Sequence, residues 1–115
     1  MELSQPACYS GSMRLMKLPN IEDIDITDVM YALSDPARVE IIRLMASTNE
    51  AMTCGDLQLD RPKSSMSHHF KILRSSGIVQ TQIEGKEHYN TLRTEELENR
   101  FPGVFKSIIK YLLSQ

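Results

Sequence analysis

One stretch limits what this chain can become more than any other: Arg61-Pro-Lys-Ser-Ser-Met-Ser-His-His-Phe-Lys-Ile-Leu-Arg-Ser-Ser-Gly77. A proline near its start and a glycine after its end are the punctuation of a helix, since Pro suits the first turn and Gly the residue past the last. Met66, Phe70 and Leu73 recur at i, i+4 and i+7 and so share a face that must be packed against something. Ser64, Ser67, His68, Lys71 and Ser75 fall on the opposite face, and no carboxylate occurs between Arg61 and Gln82. A face that is basic or uncharged along its whole length and rich in short hydrogen-bonding groups is what a helix laid into a DNA groove presents.

The surrounding chain fits that reading. At 115 residues it is expected to be one domain, with 41% apolar and 24% charged residues as in ordinary globular proteins. No apolar run reaches the roughly 18 residues that span a bilayer and no signal-peptide core is present, so no membrane role and a cytoplasmic location are expected. The net charge of −2 excludes bulk attraction to nucleic acid. The charges are instead segregated. Residues 61–86 hold five bases (Arg61, Lys63, Lys71, Arg74, Lys86) against one acid (Glu84), and the rest of the chain is acidic.

Residues 1–19 show neither helical nor strand period and read as a flexible or loosely docked tail, with residues 20–115 as the folded domain. Ile26, Val29, Met30 and Leu33 make a first helical stripe that Asp23, Asp25 or Thr27 starts. Ser34-Asp35-Pro36 breaks it and opens a second helix, with Ala37, Ile41, Leu44 and Met45 inward and Arg38, Glu40 and Arg43 outward. Thr53-Cys54-Gly55-Asp56 has the spacing of a capping box for a short third helix through Leu57 and Leu59, and Asp60-Arg61-Pro62 turns into the next. Helix, short turn, helix is the helix-turn-helix pattern.

Past Gly77, two β-prone runs, 78–83 and 86–92, flank a turn at Glu84-Gly85, which makes a hairpin directly after the groove-facing helix. The expected class is therefore mainly α with a small β-hairpin, a winged helix-turn-helix. A last helical region begins at Thr94, is interrupted at Phe101-Pro102-Gly103, and ends in a broad apolar stripe of Val104, Phe105, Ile108, Ile109, Leu112 and Leu113. Its width, with the stripe at 26–33, suggests a homodimer joined through the first and last helices, with Val29, Met30, Phe105, Ile108, Ile109 and Leu112 at the interface, against the plainer alternative of core packing.

From residues 26 to 92 the chain resembles the ArsR-type (arsenic-repressor-like) winged-helix regulators. The resemblance rests on Ala32-Leu-Ser-Asp-Pro-Ala-Arg38 with Ile41 to Met45, on Gly55-Asp56-Leu57, on residues 64–79, and on Glu84-Gly85 with Tyr89, in that order and spacing. It implies a symmetric dimer and a repressor that binds an operator until an effector, here unknown, relieves it. It places base contacts on Lys63, Ser64, Ser67 and His68, the face already found from periodicity, and the wing tip on Glu84, Gly85 and Lys86. Lys71, Arg74 and Lys86 are the residues suited to phosphates. His69 matches the family's recurrent histidine and borders the apolar face, which favours a structural role.

The family's metal chemistry does not carry over. Its sensors place a Cys-x-Cys pair before the Asp-Leu of the third helix, where this chain has Thr53, Cys54 and Gly55, and residues 104–115 contain no Asp, Glu, His or Cys. A tetrahedral zinc site needs about four N, S or O ligands, so no metal and no cofactor is expected. Cys54, at the first position of a capped helix where free N–H groups favour thiolate, and Cys8 in the tail are the residues available for a thiol switch, against the plainer fate of a buried inert cysteine. His68 and His69 point about 100° apart and no catalytic motif occurs, so an enzyme is not expected. The competing function is a winged-helix module for protein–protein contact without specific DNA binding.

Overall fold

The computed structural model describes residues 14–48, 50–57 and 61–115. A short strand, β1 (Arg14–Leu15), leads through a 3-10 turn at Ile21–Asp23 into α1 (Ile26–Ala32) and α2 (Pro36–Thr48). The helix-turn-helix follows as α3 (Cys54–Leu57) and α4 (Lys63–Ser75), then β2 (Val79–Glu84), β3 (Glu87–Leu92), α5 (Thr94–Arg100) and α6 (Val104–Leu113). No helix of the described residues is long and apolar enough to cross a membrane.

The first three helices start where side chains satisfy the free first-turn N–H groups. Asp25 caps α1 in a capping box with Asp28. Asp35 Oδ1 accepts from the Ala37 N–H at 2.8 Å to start α2. Thr53 and Asp56 cap α3 reciprocally, at 3.1 Å from the Asp56 N–H to Thr53 Oγ1 and 3.0 Å from the Thr53 N–H to Asp56 Oδ2. The expected continuation of α3 to Leu59 and the turn at Asp60 lie outside the described residues.

The core is continuous between the helices and the sheet, and Val29, Ile41, Ile42, Leu73, Ile78, Val79, Leu97 and Phe105 are almost fully excluded from solvent. Arg38 corrects the expected outward set of α2: it is buried, while Leu44, expected inward, is only half-buried. Its guanidinium enters the core because acceptors converge on it. Nε donates to the Ala32 carbonyl at 2.7 Å, one terminal nitrogen donates to the Tyr31 carbonyl at 3.2 Å, and the other lies 3.2 Å from His69 Nδ1. Glu40 and Arg43 do face outward and pair with each other.

The hairpin turn sits one residue later than expected. Glu84 pairs with Glu87, so the two turn residues are Gly85 and Lys86 rather than Glu84 and Gly85. Gly85 has φ +62, the left-handed value that a tight hairpin loop demands of its first central residue and that glycine adopts without strain. β2 also carries a strand on its other edge: Arg14 pairs with Ile83 and Leu15 with Gln82, giving a three-stranded antiparallel sheet in the order β1-β2-β3. The end of the segment expected to be a tail thus covers an otherwise open sheet edge.

The interface residues expected from the apolar stripes divide between two faces. Val29, Phe105 and Leu112 are buried, because the helical period turns them toward the chain's own core, and none of them lies on an exposed face. Ile108 and Ile109 are half-buried against that core. Of the expected set only Met30, at 60% exposure, faces fully outward; Val104 at 36% and Tyr111 at 63%, which lie outside that set, do so as well.

Candidate nucleic-acid interface

α4 is built to be held by one face and to offer the other. Met66, His69, Phe70 and Leu73 are buried, and Lys63, Ser64, Ser67, His68, Lys71 and Ser75 are exposed. The helix ends cleanly: the Gly77 N–H donates to Arg74 O and the Ile78 N–H to Leu73 O, each at 3.1 Å, the double bond pattern that closes a helix through a left-handed glycine. Gly77 has φ +84, and a Cβ there would lie 3.0 Å from Ile24 Cγ1. This close approach leads the chain from α4 directly into the hairpin.

The structure brings together on α4 all four residues expected to contact bases, with Lys71 on the same stripe. Arg74 is half-buried, in the last turn of the helix. At the wing, Gly85 and Lys86 are exposed at the hairpin tip, and the one-residue shift of the turn places Lys86 at the loop itself. The hairpin is held from beneath by Asn90, whose side-chain oxygen accepts from Thr81 Oγ1 at 2.6 Å and whose amide donates to the Met52 carbonyl at 3.0 Å.

His69 is the pivot between α2 and α4. Arg38 can only donate, so His69 Nδ1 is the acceptor and the neutral ring carries its proton on Nε2. Burial holds its pKa below the usual 6.5 and the Arg38 charge adds to this, with Asp35 opposing. The His68 and His69 rings stand 6.1 Å apart and tilted by 50°, with His68 turned out to the exposed face. Among the described residues no group of three or more His, Cys, Asp or Glu side chains is placed to hold a metal. Cys8 and the side chain of Cys54 lie outside the described part of the structure, and with them the thiol pair.

Sequence reasoning missed the Arg38 strut and the arm that joins β2. For Arg38 a signal exists: Ile42 and Met45 follow it at i+4 and i+7 and are both buried.

Comparison with known proteins agrees with this geometry. A helix-turn-helix domain profile matches residues 33–82. An uncharacterized HTH-type transcriptional regulator of Bacillus subtilis (strain 168) is 27% identical over 95 residues, 81% of this chain and 95% of the relative. The transcriptional repressor SdpR of the same organism is 32% identical over 74% of this chain and 94% of its own length. The arsenical resistance operon repressor of Staphylococcus xylosus is 34% identical over 64% of this chain and 71% of its own. The profile runs from the end of α1 into β2 and the pairwise matches extend well beyond it, so the chain belongs to the ArsR-type family of winged helix-turn-helix, DNA-binding transcriptional regulators.

Proposed function

We propose that the protein is a non-enzymatic cytoplasmic repressor that binds an inverted-repeat DNA operator as a homodimer. The observation that carries this reading is the exposed row Lys63, Ser64, Ser67, His68 and Lys71 on a helix anchored by Met66, Phe70 and Leu73, next to a wing that ends in Lys86. Short hydroxyls and an imidazole reach base edges, whereas lysines serve phosphates. Two of the relatives are named as repressors, which supports repression here. Dimerisation is supported by the outward apolar residues Met30 and Tyr31 on α1 and Val104, Tyr111 and Leu113 on α6, which the chain itself does not cover. Two-fold symmetry then requires half-sites related by inversion, with centres one or more helical turns of about 10 bp apart.

Selection of bound sequences from a random duplex library tests this directly. An enriched inverted repeat, with retention on DNA that falls as salt rises, is the expected result. Recovery of no motif, together with salt-insensitive or absent retention, overturns it in favour of a winged-helix module for protein–protein contact.

A further inference from the structure

We propose that Lys17, on the segment between β1 and the 3-10 turn, joins Lys71 and Arg74 in seating a phosphate of the DNA backbone that flanks α4, which makes the N-terminal arm part of the DNA interface. The inference rests on the reading that the exposed face of α4 enters the groove.

An open groove of about 360 Å³ runs between the arm and the C-terminal half of α4, lined by Lys17, Leu18, Pro19, Lys71, Arg74 and Ser75. Three of its six lining residues are basic and none is acidic. Lys71 and Ser75 belong both to this groove and to the exposed stripe of α4, so a ligand seated here is continuous with whatever that stripe contacts. At the end of α4 the Arg74 and Leu73 carbonyls accept from the Gly77 and Ile78 N–H groups, so neither of these two oxygens is turned free toward an anion in the groove.

The arm is held rather than trailing. Before Lys17, the Met16 N–H donates to Thr81 O at 2.8 Å, continuing the β1·β2 ladder; after it, Arg93 Nη1 donates to Pro19 O at 3.3 Å. Lys17 is exposed between these two fixed points, so its backbone needs no ordering when an anion arrives. A small free anion needs an enclosed site to bind tightly, and this groove is open along its length. A phosphodiester of a duplex already docked on α4 needs no enclosure. Because phosphates carry no sequence information, the arm contributes affinity on any duplex.

The test is fluorescence anisotropy of the full-length protein with an arbitrary duplex and with the selected operator, titrated over several salt concentrations, for the parent, Lys17→Gln, Lys17→Arg and Lys71→Gln. Lys17→Gln is expected to weaken binding about five-fold on both duplexes at low salt and to reduce the slope of log K against log salt by about 0.9 for each protomer engaged, with Lys17→Arg restoring both. Parent affinity and slope in Lys17→Gln, beside a loss in Lys71→Gln, overturn the role of the arm and leave the function of α4 standing. A loss in Lys17→Gln on both duplexes with an unchanged salt slope would mean that Lys17 acts through the fold of the arm and not through a phosphate, and also overturns it. A parent that binds neither duplex removes the reading of α4 and the inference with it.

Discussion

At His69 a single ring nitrogen joins α2 to α4, since its Nδ1 accepts from a guanidinium that two carbonyls at the end of α1 also hold in place. Burial depresses the folded-state pKa of His69 below 6.5. Between that depressed value and 6.5 the unfolded chain binds a proton that the folded chain refuses, so this contribution to stability is complete above about pH 6.5 and is lost as the pH falls through the window below it. Urea unfolding at pH 7.5 and pH 5.5 should show a loss for the parent and a smaller one for His69→Asn, which keeps an acceptor but does not titrate; equal losses would remove His69 as the source. Its neighbour His68 faces out, and the two neighbours should therefore fail differently. His68→Ala should cost about 1–3 kcal/mol on the operator and much less on scrambled DNA, whereas Lys86→Ala should weaken both and lower the salt slope by roughly one. A His68→Ala loss of the same size on both DNAs would leave it a positional contact. The inward place of His69 is readable from the wheel, because it borders Met66, Phe70 and Leu73. That of Arg38 is harder to read, since a guanidinium enters a core only where carbonyls and a ring nitrogen converge on it, and that convergence is tertiary.

At the level of elements, two glycines with left-handed backbone do different work. Gly77 carries φ +84 and also lies against Ile24, while Gly85 carries φ +62 with no atom within 4 Å of where a Cβ would be. Gly85→Ala should therefore cost only the backbone strain, about 1 kcal/mol, and Gly77→Ala that strain plus the displacement of a buried isoleucine, roughly 2–4 kcal/mol. Denaturant midpoints of the two variants check the ordering, and indistinguishable values would show that Ile24 yields freely. Both glycines are visible as turn residues in the sequence, as are the caps at Asp25, Asp35 and Thr53, because each acts within three or four residues of itself. The register of the hairpin is not legible locally, because Glu84-Gly85 and Gly85-Lys86 are both plausible two-residue turns, and the cross-strand pairs decide for the second. β1 has no local signature: two residues pair because the edge of β2 is available, so their conformation is dictated by a partner more than sixty residues away.

Over the whole molecule, the broad apolar stripe of the last helix has two destinations. Phe105 and Leu112 complete the core, with Ile108 and Ile109 half-buried beside them, whereas Val104 and Leu113 remain outside, next to the exposed Tyr111. Periodicity showed that the stripe was wide, but which edge faces α2 and α5 depends on where those helices lie, and that is not encoded in α6 itself. This division decides how the proposed dimer should be tested. A charge at Leu112 would unfold the protomer and say nothing about association, since the side chain is 8% exposed. Met30→Glu combined with Tyr111→Glu places two carboxylates on residues that are each more than half exposed, so the fold should survive, as circular dichroism and an unchanged denaturant midpoint would show. If α1 and α6 meet their symmetry mates in the dimer, each carboxylate is buried without a partner, and sedimentation should show a monomer at concentrations where the parent is dimeric. Operator binding should then fall to the level of a single half-site, because the second recognition helix is no longer delivered with the first and the gain from effective concentration disappears. A double variant that sediments as a monomer yet binds the full operator with parental affinity would separate dimerisation from recognition, and one that remains a dimer would move the interface away from these two helices.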